Sequence, residues 1–297
     1  MKIYDCFMFF DEEMLLDLRL NIMDRYVDKF VITESSYMHS GKKKELIFDI
    51  NKYSKFKDKI IYIPIKEQPR DLIEVNSNDS LHLKQSKMIR NAKIREMYQI
   101  NRTQDEINKA DSNDIIIISD LDEIPNLEKI NFNDINNKLI FFIQKMFYYK
   151  FNLFHKSLPW FGSKACKKKY FKSPEWLRSI KNKKYPKWRF DTLLSDSKYS
   201  DICFVYEGGW HFTNMRKPKD LEEKLSNFLH HVDYQESGLQ LKDLERLIKE
   251  KKIMYNHAID QKGNKWGDGE KLEIINIDKL PSYIKENQKK FINWLEL

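Results

Sequence analysis

Through its first half the chain alternates short apolar runs with amphipathic stretches, the pattern of a parallel sheet whose strands are joined by crossover helices. Ile3–Phe9 predicts a strand. Asp11 then stands where it can cap a helix carrying Leu15, Leu18 and Ile22 on one face, and residues 30–34 return as a second strand. Residues 60–63 predict a third strand, ended by Pro64. A long helix follows over residues 81–98, with Met88, Ala92 and Arg95 at helical spacing. It leads into residues 115–118, four consecutive isoleucines that suit a central strand covered on both faces.

The second half differs. Residues 139–154 are nearly continuous aromatic and aliphatic sequence, and residues 202–206 form another short apolar run. Both predict further strands, open to antiparallel pairing, added to the first sheet. Pro218 opens a helix over residues 219–232 whose apolar face is Leu221, Leu225, Phe228, Leu229 and Val232. Neither an internal repeat nor a low-complexity linker interrupts the chain. The expectation is an α/β fold: one domain over residues 1–235, with a mixed, mostly parallel sheet flanked by helices, and a C-terminal extension over residues 236–297 packed on it. Within that extension, Gly263-Asn264-Lys265-Trp266-Gly267-Asp268-Gly269 predicts a turn-rich loop.

Length and composition agree with this pattern. The 297 residues, 41% hydrophobic and 33% charged, suffice for a sizeable core. No run reaches the roughly 18 apolar residues of a membrane-spanning helix. Asp11, Glu12 and Glu13 stand where a signal peptide would carry its small-residue cleavage site. Cys6, Cys166 and Cys203 are far apart and form no C-x-x-C spacing, which argues against a disulfide framework or a zinc knot. A cytoplasmic protein without anchor or signal peptide is expected.

Charge alters the picture only through its placement. Residues 164–189 hold eleven basic residues against the single acid Glu175, more positive charge than the whole chain's net +8, so the remainder is slightly acidic. Tyr170, Phe171, Trp176, Tyr185 and Trp188 are interleaved there. Such a stretch can bind phosphates and stack on flat ligands, or it can be a solvated lysine-rich loop.

The chemistry concentrates in two places. Ser119-Asp120-Leu121-Asp122-Glu123-Ile124-Pro125 follows the isoleucine strand directly. Acids at the end of a central strand lie at the carboxyl edge of the sheet, where open α/β sheets bind ligands. Asp120 and Asp122, two apart, lean to one side of extended backbone and together make a hard oxygen site for Mn²⁺ or Mg²⁺. An Asp-x-Asp triplet alone also occurs in solvated turns. Glu207-Gly208-Gly209-Trp210-His211-Phe212 is the second constellation. Its glycines permit close backbone approach, Trp210 offers a flat apolar wall, and His211 is a candidate third metal ligand or phosphate contact, or a packed core histidine.

Together these segments resemble the signature regions of family 17 of the glycosyltransferases, the group of β-1,4-mannosyl-glycoprotein β-1,4-N-acetylglucosaminyltransferase. The opening fits as well, in Tyr4-Asp5-Cys6-Phe7-Met8-Phe9-Phe10, Leu15-Leu16-Asp17-Leu18-Arg19-Leu20, Val27-Asp28-Lys29-Phe30-Val31-Ile32-Thr33-Glu34-Ser35 and His39-Ser40-Gly41-Lys42. The resemblance implies a GT-A fold, a nucleotide-sugar donor, UDP-N-acetylglucosamine, and transfer to a glycan hydroxyl with inversion at the anomeric carbon. By position it makes Asp120 and Asp122 the metal and diphosphate site and His211 a completing ligand. Glu34 and Ser35 become candidate nucleoside contacts, and Arg90 and Asn91 either donor contacts or a helix-surface pair. The acceptor glycan is left open, anionic and lipid-linked types included.

An inverting transfer needs a base for the acceptor hydroxyl, and Glu123, Asp191 and Glu207 are candidates that the sequence does not rank. Glu123 can equally orient the loop. Tyr148, Tyr149, Trp160, Trp188 and Trp210 are candidates for an acceptor platform, although most residues of an aromatic-rich stretch are core. Two other classes compete: a polyanion-binding protein using residues 164–189, with nucleic acid the less expected partner, and a metal-dependent phosphodiesterase or nucleotidyltransferase.

Overall fold

The apolar runs assemble into a single mixed sheet. A computed structural model describes the chain except for residues 187, 190, 192–194, 230, 256–265, 267–268 and 297. Strand β1 (Ile3–Phe9) lies between β2 (Lys29–Ser35) and β4 (Ile115–Ile118), and β3 (Ile60–Ile65) pairs outside β2, all parallel. Helix α1 (Glu13–Met23) crosses from β1 to β2. Helix α2 (Leu81–Asn101), capped by the Ser80 hydroxyl, and the short α3 (Gln104–Ile107) lead from β3 to β4. Alternation decides the packing. Ile115 and Ile117 enter one core layer with Phe7, Phe9 and Leu16, while Ile116 and Ile118 enter the other with Cys6, Val31 and Ile100.

Beyond β4 the direction changes. Strand β6 (Leu139–Tyr148) and β7 (Leu153–Lys167) form an antiparallel hairpin, and β7 also runs antiparallel to β4. β8 (Ile202–Val205) and β9 (Gly209–Thr213) pair parallel to β6, and β5 (Glu123–Pro125) pairs antiparallel to β9. The order is β3-β2-β1-β4-β7-β6-β9-β5. Strand β5 follows β4 in sequence after only four residues yet sits three strands beyond β7. The sheet therefore curls, and the acidic loop spans the opening. This is a mostly parallel, GT-A-like α/β fold.

Four expectations need correction. Helix α1 has Glu12 rather than Asp11 at its N-cap position and no side-chain cap, because the Asp11 carboxylate is taken by Arg216. Strand β3 continues through Pro64, because it is an edge strand and a missing N–H on its free side costs no ladder bond. Helix α2 runs three residues past 98. The helix expected over 219–232 is two, α5 (Pro218–Leu225) and α6 (His231–Ser237). It breaks where the Ser226 hydroxyl donates to the Glu222 carbonyl at 2.8 Å and the Asn227 amide to that of Glu223 at 2.8 Å, side chains competing with the helical ladder.

The C-terminal residues join the same body. Helix α7 (Leu241–Glu250) buries Leu244 and Leu247 against Leu221 and Leu225, and β10 (Glu273–Ile274) pairs with β7. After α8 (Ser282–Glu286), Phe291 and Leu295 enter the main core, with Phe291 edge-on to Phe151 at 5.4 Å. The predicted loop at 263–269 lies, apart from Trp266 and Gly269, outside the described residues. Among the described residues no helix is long and apolar enough to cross a membrane.

Candidate active site

Residues 119–122 leave β4 at its carboxyl edge, beside the end of β1. Their shape is set from below by a residue that the motif does not contain. Arg19, on α1, is wholly buried and spends its entire guanidinium here. It forks onto Asp5 at 2.8 and 2.6 Å and donates to the Ser119 hydroxyl at 2.6 Å. It also donates to the carbonyls of Asp120 (3.0 Å), Leu121 (3.2 Å) and Glu123 (2.8 Å). With the carbonyls held inward and Leu121 in the core, the Asp120 side chain is left 35% exposed and that of Asp122 16%. The signal in the sequence was a charge on the apolar stripe of α1, four residues after Leu15, which demands a buried partner.

Each aspartate meets a basic side chain. Asp120 is forked by Arg178 at 2.7 and 3.0 Å, and the same guanidinium reaches Glu96 on α2 at 2.9 Å. Arg178 lies on α4 (Pro174–Ser179), so one residue of the basic segment belongs to the site. Glu96 is held near 2: burial raises its pKa, but Arg178, Lys93 and His39 outweigh it. Asp122 stands 3.5 Å from Nε2 of His211. The β5–β9 pairing, which sets His211 opposite Glu123 and bonds Phe212 N to the Asp122 carbonyl at 2.9 Å, brings them together. Burial pushes the Asp122 carboxyl up, yet His211 and then Lys224 pull it down to about 2. His211 rises in turn, because Asp122 outweighs the burial that disfavours its charged form. Nδ1 of His211 is buried without a hydrogen-bond partner.

Trp160 closes one wall, stacked on His211 with ring centres 4.7 Å apart. Its indole N–H donates to Glu123 Oε1 at 2.6 Å, while Glu123 Oε2 accepts from Asp120 N at 2.8 Å. Burial and then Asp120 raise the Glu123 pKa. Gly162 permits this arrangement, since a Cβ there would lie 2.5 Å from the Glu123 carboxyl carbon and 2.4 Å from Gln144 Oε1. Near Asp122 lies Glu12, with Arg216 at 2.9 Å and Lys224 at 3.8 Å; Arg216 also holds Asp11 at 2.7 Å. Asp120 is thus held by Arg178, while Asp122 feels His211 and Lys224.

The family model described as Glycosyltransferase family 17 matches residues 1–295. The chain belongs to glycosyltransferase family 17. No individual curated protein matches it. Membership in family 17 makes the chain a glycosyltransferase and decides against the polyanion-binding and phosphodiesterase alternatives.

The remaining candidates of this family 17 enzyme are placed as follows. The Glu34 carboxylate is buried and already accepts from Lys44 (2.6 Å), Tyr62 (2.8 Å), Ile47 N (2.9 Å) and Phe48 N (3.1 Å), and the Ser35 hydroxyl accepts from Tyr37 N at 3.1 Å. Arg90 is exposed, whereas Asn91 is buried and clamps the backbone of Ile73 at 2.7 and 2.8 Å. Tyr148 and Tyr149 lie in the core beneath the C-terminal segment and present no face to a ligand. Trp188 is exposed, and Trp210 packs against the main core, on the face of β9 opposite His211. Asp191 and Glu207 are surface carboxylates paired with Arg189 and Lys198 and with Lys145, respectively. Of the five aromatics only Trp160 touches the acidic site. Arg178, Arg216, Lys224 and Glu12 carried no motif, and the segment that holds Arg19 gave it no role of its own; long-range packing assembles them.

Proposed function

We propose that this family 17 glycosyltransferase takes its sugar from a nucleoside-diphosphate donor, UDP-N-acetylglucosamine, and transfers it with inversion to a glycan hydroxyl, using Mn²⁺ or Mg²⁺. The observation that carries the donor class is the pair of cations beside the two aspartates: Arg178 forks Asp120, and Lys224 lies near enough to Asp122 to lower its pKa, with Arg216 next to Lys224 on Glu12. Cations matched to a diphosphate stand beside carboxylates that suit a divalent ion. The nucleobase and sugar follow from the family resemblance.

The residues fit the ion. Asp122 and His211 are neighbours, one hard oxygen and one imidazole, a pair that Mn²⁺ accepts. Among the described residues no third His, Cys, Asp or Glu completes a cluster, so phosphate oxygens and water would supply the remaining positions. A divalent ion held by Asp122 and His211 would supply positive charge to offset that of a departing diphosphate. The protein's own groups do the rest. Arg178, Arg216 and Lys224 hold the diphosphate, Trp160 offers its outer face to the acceptor ring, and Glu123 is the one candidate base in the wall of the site. A hydroxyl that replaces the indole N–H at Glu123 Oε1 finds a carboxyl whose raised pKa favours taking a proton. For an anionic or lipid-linked acceptor the exposed lysines 181, 183 and 184 remain.

Incubation with a panel of nucleotide sugars, with and without Mn²⁺, tests this reading. Release of UDP from UDP-N-acetylglucosamine that needs Mn²⁺ is the expected result. Equal turnover in EDTA removes the metal, and turnover of a different nucleotide sugar removes the donor.

A further inference from the structure

Asp120 is engaged where the proposed reading needs it open. Both of its oxygens are taken by Arg178, whose other anchor is Glu96, and the side chains are 22% exposed for Arg178, 35% for Asp120 and 5% for Glu96. One end of this three-part bridge is therefore buried, and the other faces the cleft. The position of Arg178 is itself enforced. Lys164, 5% exposed on β7, donates to the carbonyl of Arg178 at 2.8 Å and to that of Ile180, just past the end of α4. A buried ammonium given to two backbone carbonyls fixes where the guanidinium begins.

We propose that Arg178 is a phosphate-binding residue that gates the acidic loop: it occupies Asp120 in the free enzyme, and a bound nucleoside diphosphate draws it away so that Asp120 can join a divalent ion. This rests on the donor reading above. Carboxylate and phosphate present the same paired oxygens to a guanidinium fork, so a diphosphate beside Arg178 competes directly with Asp120. Glu96 keeps the pivot in place, and the arginine turns without leaving the site. Metal and diphosphate then bind with positive coupling, each strengthening the other by the same factor. Asp122 and His211 alone offer a weak two-ligand site.

The test is Mn²⁺ binding, followed as loss of the free-ion electron paramagnetic resonance signal, with and without UDP, in the wild type and in Arg178→Gln. The wild type is expected to bind Mn²⁺ more tightly with UDP, by about five- to a hundred-fold. In Arg178→Gln, Mn²⁺ alone binds more tightly than in the wild type, UDP binds more weakly, and the coupling shrinks. Arg178→Lys, a point charge that cannot fork Asp120 while holding Glu96, shifts all three in the same direction by less and serves if the glutamine variant fails to fold. A folded variant whose Mn²⁺ affinity without UDP is unchanged or weaker overturns the gate while leaving the donor reading intact. A wild type that binds neither UDP nor Mn²⁺ overturns both.

Discussion

Replacing Arg19 by methionine should destabilise the protein more than a change at any cleft residue. Its guanidinium and the Asp5 carboxylate are both fully buried at 2.6 Å, so the variant strands a charge without solvent or partner. Removing one member of such a pair costs roughly 3–5 kcal/mol. Three loop carbonyls also lose their donor, but the loop lies at the sheet edge and water can replace part of that loss. At about 2–4 °C per kcal/mol for a large domain, the melting temperature should fall by roughly 6–20 °C. Arg19→Lys separates the two functions of the residue. Its ammonium can still face Asp5 but cannot also fork the loop carbonyls. It should keep at least half of the lost stability, yet weaken UDP binding in the presence of Mn²⁺ about tenfold, because the acidic loop is no longer held. Differential scanning fluorimetry and isothermal titration calorimetry read the two effects. A methionine variant melting within about 2 °C of the wild type would refute the reasoning, since only surface substitutions are that mild.

Two further outcomes follow from the same geometry. The Glu96 carboxyl has a folded pKa of about 2, below its ordinary 4.5, so its contribution is present above pH 4.5 and is lost as pH falls toward 2. Urea titrations should therefore show a stability gap between the wild type and Glu96→Gln that is constant from pH 5 to 7 and smaller at pH 3; a gap that grows at pH 3 contradicts the depressed pKa. Lys167 pairs with Ile115 and Lys164 with Ile118, so Lys167, Lys168 and Lys169 sit at the end of β4 away from the acids. Exposed charge is screened within about 8–10 Å at physiological salt, and replacing all three by serine should leave UDP affinity within about twofold; a larger loss in a calorimetric titration places them in the donor site.

The parts of the site that sequence made legible are those built by local order. Strands buried on both faces must be continuously apolar, so residues 115–118 announced a central strand and hence the place of Asp120 and Asp122. Nothing local could say that β5 would curl back to pair with β9, the step that sets His211 beside Asp122, because register across a sheet is a non-local choice. The same holds for the cations. Eleven basic residues in one segment read as a block, but the fold divides them: Arg178 enters the site, Lys164 is buried behind it, and Lys167 to Lys169 go to the opposite end of the strand. Aromatic character was equally ambiguous, since Tyr148 and Tyr149 pack under the C-terminal segment while Trp160, in the next strand, faces His211. Where the periodicity failed, at Ser226 and Asn227, polar side chains ended a helix that the apolar face alone would have continued.

The claim that the acidic loop is the donor site is tested most directly by UDP release from UDP-N-acetylglucosamine in Asp122→Ala, with the melting temperature recorded on the same preparation. The Asp122 side chain, 16% exposed, meets His211 rather than the apolar core, so the variant should melt within a few degrees of the wild type, as mild substitutions do. Its Mn²⁺-dependent turnover should fall by a factor of about a hundred or more, the size of loss seen when a preorganised charge-stabilising group is removed. A folded Asp122→Ala protein with undiminished turnover would contradict the account.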